Sequence, residues 1–547
     1  MNKVWLAHYD SFVPSSVIYP KDDLYILFQR SATGASDKTA LVFFDEEITY
    51  GQLLSWTDNF AAALAAEGVT KGDRIMLSLP NCPQFVVAYY ALQKLGAVPV
   101  MINPMSVARE IEFKCTDAEA RGIIALDLFL DPFLPSAQKV GLDLIIFSGI
   151  FDLHSGHSGE SAERGVGVQD FREMVMTESS GVNAVNNGLD DLAVIIYTGG
   201  TTGDPKGAML SQMNIISNAW AIGSWFQIQV EDRGLAVLPF FHGFGMQVML
   251  NTALLQGASL VLMPQFDIES LFKLVDQYKP TCMVGVPTMF TAINNFEDRS
   301  NYDLSSIRVA CSGGAPLPFS IKNEFEAFTG GKLLEGYGLT ESTCAVCSNP
   351  VEGLNREGTI GIPMPDVEMK IVDIETGDID LLPGEIGEIV VKSFTVMLGY
   401  YKNPTVTAET IRNGWLYSGD IGRVSEDGFF EILDRKKEMI IAGGFNIYPT
   451  EVENAIQNHP DVLEVAVIGV PDEYRGETVK AFVTLRDGAK LTEETLSLYC
   501  RENMIRYMVP KLIEFRESLP KSPIGKILRK ELKAEELAKT GKDDHER

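Results

Sequence analysis

The densest group of chemistry-bearing residues is the run Tyr197-Thr198-Gly199-Gly200-Thr201-Thr202-Gly203-Asp204-Pro205-Lys206-Gly207. Glycines let successive backbone N–H groups converge into an anion nest. The hydroxyls of Thr198, Thr201 and Thr202 and the ammonium of Lys206 add donors and positive charge. Such a loop suits a polyphosphate. An apolar run at 192–196 predicts a strand before it, and a helical pattern begins near Ser211. The spacing is not the Walker A signature, because Pro205 and Gly207 flank the lysine where Gly and Ser or Thr belong. A P-loop NTPase is excluded on that ground.

Other candidate groups are weaker. His242 lies in Pro239-Phe240-Phe241-His242-Gly243, either at a pocket wall or as a satisfied core histidine. Cys344 and Cys347 form a C-x-x-C without a second ligand pair, so they read as thiols and not as a zinc site. His154 and His157 fall in a Ser/Gly-rich stretch without neighbouring ligands. Among 547 residues, 46 Lys and Arg stand against 74 Asp and Glu, a net charge of −28. That balance argues against nucleic-acid partners and stable contact with anionic membranes. Anionic substrates would therefore need local cations, N–H clusters or Mg²⁺ to hold them. Seven cysteines, an odd number, predict reduced thiols and a cytoplasmic location over a disulfide framework. The N-terminus lacks an apolar signal region, so secretion is not expected.

Residues 234–266 contain no Asp, Glu, Lys or Arg. Pro239, Asn251, Gln256 and several glycines interrupt them, so a membrane helix is not predicted. They read as strand, loop, helix and strand, buried or lining an apolar pocket.

The elements around these groups follow an alternating rhythm. Strands are predicted at 39–44, 73–79 and 97–102, with helices at 50–67 and 84–96 between them. This βαβα order implies α/β architecture with parallel sheets flanked by helices, and it returns from 191 to about 307. Residues 153–189 read as a surface excursion. Residues 366–391 predict a small β subdomain. A strand is expected at 428–433, followed by the charged run 434–438, which reads as outside any core. The division expected is an N-terminal region at 1–433, a hinge at 434–437 and a smaller α+β domain at 438–547. In the last, strands are predicted at 439–442, 463–470, 478–485 and 511–516, and helices at 451–458 and 492–503. Thr450 and Glu453 match a capping box. A charged helical tail is expected from Ile527.

The loop at 197–207 resembles the phosphate signature of the adenylate-forming enzymes, which include acyl-CoA ligases, carrier-protein adenylation domains and beetle luciferases. Four further motifs stand in the family's order. They are Gly336-Tyr337-Gly338-Leu339-Thr340-Glu341, Tyr417-Ser418-Gly419-Asp420, Asp434-Arg435-Lys436-Lys437 and Pro520-Lys521-Ser522-Pro523-Ile524-Gly525-Lys526. The stretches LLEGYGLTE, VMLGYYKNP and DRKKEMI, together with the C-terminal segment, are most similar to bacterial long-chain fatty-acid–CoA ligases.

The resemblance implies a reaction in two steps. A carboxylate attacks the α-phosphorus of ATP and expels pyrophosphate, and coenzyme A then displaces AMP to form a thioester. It implies that Thr198, Gly199, Gly200, Thr201, Thr202, Gly203 and Lys206 hold the β- and γ-phosphates. It assigns Mg²⁺ to Glu341 and the α-phosphate region to Thr340. Tyr337 would stack on adenine, with Glu335, Gly336 and Gly338 beside it and Gly313, Gly314 and Ala315 allowing close approach. Asp420 would bind the ribose with help from Arg435. Lys526 would bridge substrate carboxylate and α-phosphate. His242 would sit by the carboxylate. The C-terminal domain would turn about Lys437 and bring Gly443 and Gly444 to the pantetheine arm, with Arg475, Arg506 and Lys511 as candidates for the nucleotide end of the coenzyme.

An acid-free segment at 234–266 disfavours an amino-acid substrate, since a buried ammonium needs a partner. The expected partner is thus a small carboxylic acid with an apolar acyl tail. An aryl- or alicyclic-acid–CoA ligase shares the motifs. Transfer to a separate carrier protein is a further reading, because no carrier segment follows. A nucleotide sensor without turnover is disfavoured by the presence of Lys526 and Glu341, and luciferase-like oxygenation by the C-terminal segment. Contact with a bilayer would be transient and peripheral. A homodimer is admitted but not specified.

Overall fold

The computed structural model describes residues 3–156, 167–178, 181–198, 205–443, 445–472, 474–521 and 527–540. Backbone contacts divide the chain into two compact units. Met1–Glu368 with Val391–Leu416 forms the first, and Met369–Val390 with Tyr417–Arg547 forms the second.

The first unit holds two large sheets. A nine-stranded sheet runs Ile362–Pro363, Ala345–Ser348, Lys332–Gly338, Val309–Ser312, Cys282–Gly285, Arg233–Ala236, Ser259–Leu262, Thr39–Phe43, Glu46–Thr49. Its six consecutive strands from Lys332–Gly338 to Thr39–Phe43 are parallel. An eight-stranded sheet has the order Gly399–Tyr400, Lys206–Ser211, Leu192–Thr198, Val98–Met101, Arg74–Ser78, Gly122–Leu126, Leu144–Ser148, Gln169–Asp170.

The predicted alternation between 39 and 102 is present. Helices Tyr50–Ala66 and Pro83–Leu95 lie between strands Thr39–Phe43, Arg74–Ser78 and Val98–Met101. The second helix starts with Pro83 in its first turn and stops at Gly96, whose φ is 66°. Proline presets the first helical turn and glycine takes the left-handed cap without penalty. The short strand Glu46–Thr49 was not expected, since its two acids hide the period-2 signal.

The acid-free segment follows the predicted order: strand Arg233–Ala236, loop, helix and strand Ser259–Leu262. Its helix begins as a π-helix over Gly245–Asn251 and turns into an α-helix at Thr252–Leu255. Nearly all of it is buried.

Strands Glu368–Val372, Gly387–Lys392, Trp415–Val424 and Phe430–Arg435, which fall mostly in the second unit, make up the small β subdomain. The strand expected to end at 433 continues through Asp434 and Arg435, and Asp434 is buried. A further sheet orders Phe445–Ile447, Ile440–Ala442, Gly476–Leu485 and Val462–Asp472, with Leu512–Phe515 parallel to Gly476–Leu485. Alternate residues of the edge strand Val462–Asp472 face two cores. Val465 and Val467 pack with Val452, Ile456 and Leu496. Ala466 and Ile468 pack with Phe482, Leu519 and Leu532. That is the period of a strand buried on both faces.

The helix Pro449–Gln457 starts two residues earlier than its predicted capping box. Tyr448 is the N-cap and makes no side-chain cap bond. Thr450 and Glu453 therefore lie inside the helix and serve another purpose, described below.

Candidate active site

In the first unit the candidate residues gather at the carboxyl ends of the parallel strands. His242 follows Arg233–Ala236, Gly313 and Gly314 follow Val309–Ser312, and Glu335 to Gly338 close Lys332–Gly338. Open α/β sheets place ligand sites at this edge.

The phosphate-type run begins and ends in two paired strands. Leu192–Thr198 pairs antiparallel with Lys206–Ser211, with Thr198 opposite Lys206. The helix Gln212–Trp225 begins only after the second strand, capped by Ser211 and Asn214. The strand expected before the run and the helix expected near Ser211 are both present, and an unexpected strand, Lys206–Ser211, stands between the run and the helix. Gly199, Gly200, Thr201, Thr202 and Gly203 lie outside the described residues. The Thr198 hydroxyl donates to the Lys206 carbonyl at 3.4 Å. The Lys206 ammonium stands 5.2 Å from the centre of the Tyr400 ring.

Glycines in the 336–338 segment are demanded by packing. A Cβ on Gly338 would lie 1.6 Å from the Cys344 carbonyl, and one on Gly336 2.8 Å from the Cys311 sulfur. Gly313 touches the Phe244 ring where a Cβ would stand, and Gly314 has φ +78°. Ala315 and Tyr337 are half-buried. Glu335 is crowded by protein, which pushes its carboxyl up to about 8. Cys311 is raised by burial to about 12, an inert thiol. Cys344 and Cys347 are free thiols, also raised by burial.

Thr340, Glu341 and Ser342 form a single turn of 3₁₀-helix. The Cys344 N–H then donates to the Ser342 carbonyl at 2.8 Å, closing a three-residue turn around Thr343. Thr343 has φ 68° and ψ −51°, a strained conformation for a β-branched residue. Its hydroxyl holds the turn by donating to the Thr395 carbonyl at 2.6 Å. Glu341 receives the Tyr400 hydroxyl at 2.7 Å on one carboxylate oxygen. Among the described residues no Lys, Arg or His lies within 4.0 Å of that carboxylate.

His242 is solvent-accessible yet densely surrounded, and this desolvation holds its pKa below the usual imidazole value. The Phe244 N–H donates to its Nδ1 at 3.3 Å, which leaves the proton of the neutral ring on Nε2. An apolar pocket lies nearer the opposite ends of the same strands, lined by Phe226, Val248, Met249, Met283, Val309 and Cys311 among others. Asp232 also lines it, but Arg308 at 2.9 Å, the Thr281 hydroxyl and the Gln229 N–H satisfy its carboxylate.

The second unit holds the remaining candidates. Asp420 and Arg435 face each other across the antiparallel pair, and their side chains form an ion pair at 3.2 Å. Lys436 pairs with Glu388 at 2.9 Å, and Lys437 lies in the turn that follows. Gly443 has φ 62° and donates its N–H to the Arg475 carbonyl. Lys511 pairs with Asp472 at 2.7 Å. Gly444 and Lys526 lie outside the described residues.

Asp434 is held by the Thr450 N–H and by Arg529 at 3.3 Å. Arg529 also binds Glu438, and it grips Glu453 at 2.5 and 2.9 Å and the Thr450 hydroxyl at 3.2 Å. Burial works against its charge, but the surrounding carboxylates outweigh that and raise its pKa. Thr450 and Glu453 thus serve Arg529 where a capping box was expected. Sequence reasoning also missed Tyr400 and Thr343. Nothing local marks either one, since their partners come from distant segments.

Among the described residues, no helix is long and apolar enough to cross a membrane, and no group of three or more metal-binding side chains occurs.

The AMP-binding enzyme family matches residues 28–401, and the AMP-binding enzyme C-terminal domain matches residues 451–526. The chain is 39% identical over 551 residues to the long-chain-fatty-acid–CoA ligase of Bacillus subtilis (strain 168), covering 98% of each. ATP-bound MatB from Rhodopseudomonas palustris superposes with a TM-score of 0.85 at 31% identity, covering 94% of this chain and 99% of that one. The anthranilate CoA ligase AuaEII in complex with anthranoyl-AMP gives a TM-score of 0.85 at 28% identity, over 96% of this chain and all of that one. With its ordered motifs, its sheet-edge site and this full-length likeness, the chain belongs to the AMP-binding enzyme family.

Proposed function

We propose that this chain is an ATP- and Mg²⁺-dependent ligase that joins a medium- or long-chain fatty acid to coenzyme A. The observation that carries the reading is the full-length similarity to a long-chain-fatty-acid–CoA ligase. The acid-free segment 234–266, most of it buried, supports it. The oxygen of the acid attacks the α-phosphorus of ATP, pyrophosphate leaves, and the coenzyme A sulfur then attacks the acyl carbonyl and expels AMP.

Roles are assigned within each unit. Thr198, Lys206 and the loop between them hold the β- and γ-phosphates, and Thr340 lies toward the α-phosphate. Tyr337 offers its ring to adenine, with Gly313, Gly314 and Ala315 giving room and Glu335, Gly336 and Gly338 shaping the strand end. Asp420 accepts the ribose hydroxyls, steadied by Arg435. His242 presents a neutral imidazole to the acid, and Lys526 stabilises charge as it develops. Lys437 serves as the pivot between half-reactions, dividing 1–433 from 438–547, and Gly443 and Gly444 line the path of the pantetheine arm.

Mg²⁺ fits the residues present, because Glu341 offers a carboxylate with a neutral partner and, among the described residues, no paired cation. Mg²⁺ takes one or two such carboxylates and keeps water. When bound it would neutralise charge on the phosphates. Free thiols at all seven cysteines support a cytoplasmic setting.

The test incubates the protein with ATP, Mg²⁺, coenzyme A and acetate, hexanoate, decanoate, palmitate, benzoate or cyclohexanecarboxylate. Acyl-CoA from decanoate or palmitate, with adenylation lost in Lys526→Ala, is expected. Turnover confined to ring acids would move the substrate to the aryl or alicyclic class, the class of the anthranilate ligase. Pyrophosphate without acyl-CoA would indicate another acceptor, and no AMP with any acid would overturn the ligase reading.

A further inference from the structure

Residues 393–401 act as a strap between two elements that are far apart in the sequence. On one side the strap is stitched to the strand Lys206–Ser211 that follows the phosphate-type run. Gly399 and Tyr400 pair antiparallel with Met209 and Ala208. The Leu398 N–H donates to the Met209 carbonyl at 2.9 Å, and the Tyr401 N–H to the Gly207 carbonyl at 2.8 Å. On the other side it is stitched to the carboxylate turn. The Met397 N–H donates to the Glu341 carbonyl at 2.8 Å. The Thr395 carbonyl accepts from the Thr343 hydroxyl at 2.6 Å.

The Tyr400 side chain touches the charged group of each element. Its ring carries the Lys206 ammonium at 5.2 Å, and its hydroxyl donates to Glu341 at 2.7 Å. The side chain is buried. A neutral donor orients a carboxylate without cancelling its charge, whereas an Arg or Lys in the same place would form an ion pair and compete with a metal ion. An aromatic face likewise steadies an ammonium without neutralising it.

We propose that Tyr400 is a positioning residue that sets Lys206 and Glu341 relative to each other for magnesium nucleotide while leaving both charges available. This rests on the site reading above. Groups that orient a metal-binding carboxylate are typically worth about tenfold to a hundredfold in metal affinity or activity.

The test measures binding of α,β-methylene-ATP, which cannot release pyrophosphate, by calorimetry across a Mg²⁺ series and in EDTA. Tyr400→Phe removes the hydroxyl and keeps the ring. It is expected to weaken binding about tenfold at millimolar Mg²⁺ and to leave binding in EDTA and the melting temperature unchanged. Tyr400→Leu removes the ring as well and is expected to weaken binding under both conditions. Glu341→Gln is the control and should lose the Mg²⁺ dependence. If Tyr400→Phe matches the wild type at every Mg²⁺ concentration while Glu341→Gln loses the dependence, the role of Tyr400 is overturned and the site reading stands. If Glu341→Gln keeps the dependence, the site reading falls and the Tyr400 proposal with it. A general loss of stability in Tyr400→Phe, with equal weakening in EDTA, would show a structural role only and would also overturn the proposal.

Discussion

Two regions hold acidic groups in opposite ways. In the first unit Glu341 is fixed by a tyrosine hydroxyl and by its own backbone turn, with no cation beside it among the described residues. In the second unit Asp434, Glu438 and Glu453 converge on Arg529. The carboxylates around Arg529 are committed to the fold, because a buried charge must be paired. The carboxylate of Glu341 remains available, because neutral donors orient it and leave its charge in place. Position in a motif does not distinguish these cases. The chemistry of the partner does.

The sharpest way to break this comparison is to remove each acid's chemistry in turn. Glu341→Gln should reduce adenylation, read as pyrophosphate release, about a hundredfold or more. The melting temperature should hardly move, because the amide still accepts from Tyr400. A large loss of stability would show that Glu341 is structural. Arg529→Met should do the converse. Stripped of their partner, the buried carboxylates should cost the second unit about 3–5 kcal/mol. Denaturant unfolding or hydrogen exchange in the sheet containing Val462–Asp472 would report it.

Titration separates the regions further. Glu335 has a carboxyl raised to about 8 from an ordinary 4.5. A raised pKa means that the folded state keeps a proton the unfolded chain has released. Its contribution is therefore complete below about pH 4.5 and is lost as pH rises toward 8. Glu335→Gln should flatten that part of the stability profile. Glu514 in the second unit behaves oppositely. Burial opposes its charge, but Lys480 and Arg516 outweigh it and hold the carboxyl at about 2. Its contribution is present above about 4.5 and disappears as pH falls toward 2, so Glu514→Gln should remove an acid-side loss. Reversal of either trend would contradict the assigned environments. The smallest effect is expected at Ser211, whose side chain caps the helix Gln212–Trp225. Ser211→Ala should cost about 1 kcal/mol, read by denaturant unfolding, with little change in nucleotide binding.

Much of the architecture could be read from local pattern. Strands and helices between 39 and 102 were legible because apolar period and end signals agree within each segment, as with Pro83 and Gly96 around one helix. The same holds for the strands at Val462–Asp472 and Gly476–Leu485, where two-sided burial makes a continuous apolar run. Lys206–Ser211 was not legible as a strand, because its lysine and glycine read as loop and only pairing with Leu192–Thr198 makes it one. The charged residues Asp434 and Arg435 looked like a connector, yet the strand runs through them, since Arg529 and the Thr450 N–H compensate the buried acid.

The sequence by itself determined the α/β class, the order of motifs and the identity of Glu341 and Lys206 as candidate charges. Residue type and short-range spacing are enough for those. Which charges stay available was decided only by the tertiary structure. Tyr400 lies 59 positions from Glu341, and Arg529 lies 76 positions from Glu453. A capping box was expected at Thr450 and Glu453 because it is a local rule. Arg529 overrides it because an ion pair within the folded interior outweighs one surface cap. Local pattern records what a segment prefers, and the partner that finally satisfies each buried polar group comes from wherever the chain returns.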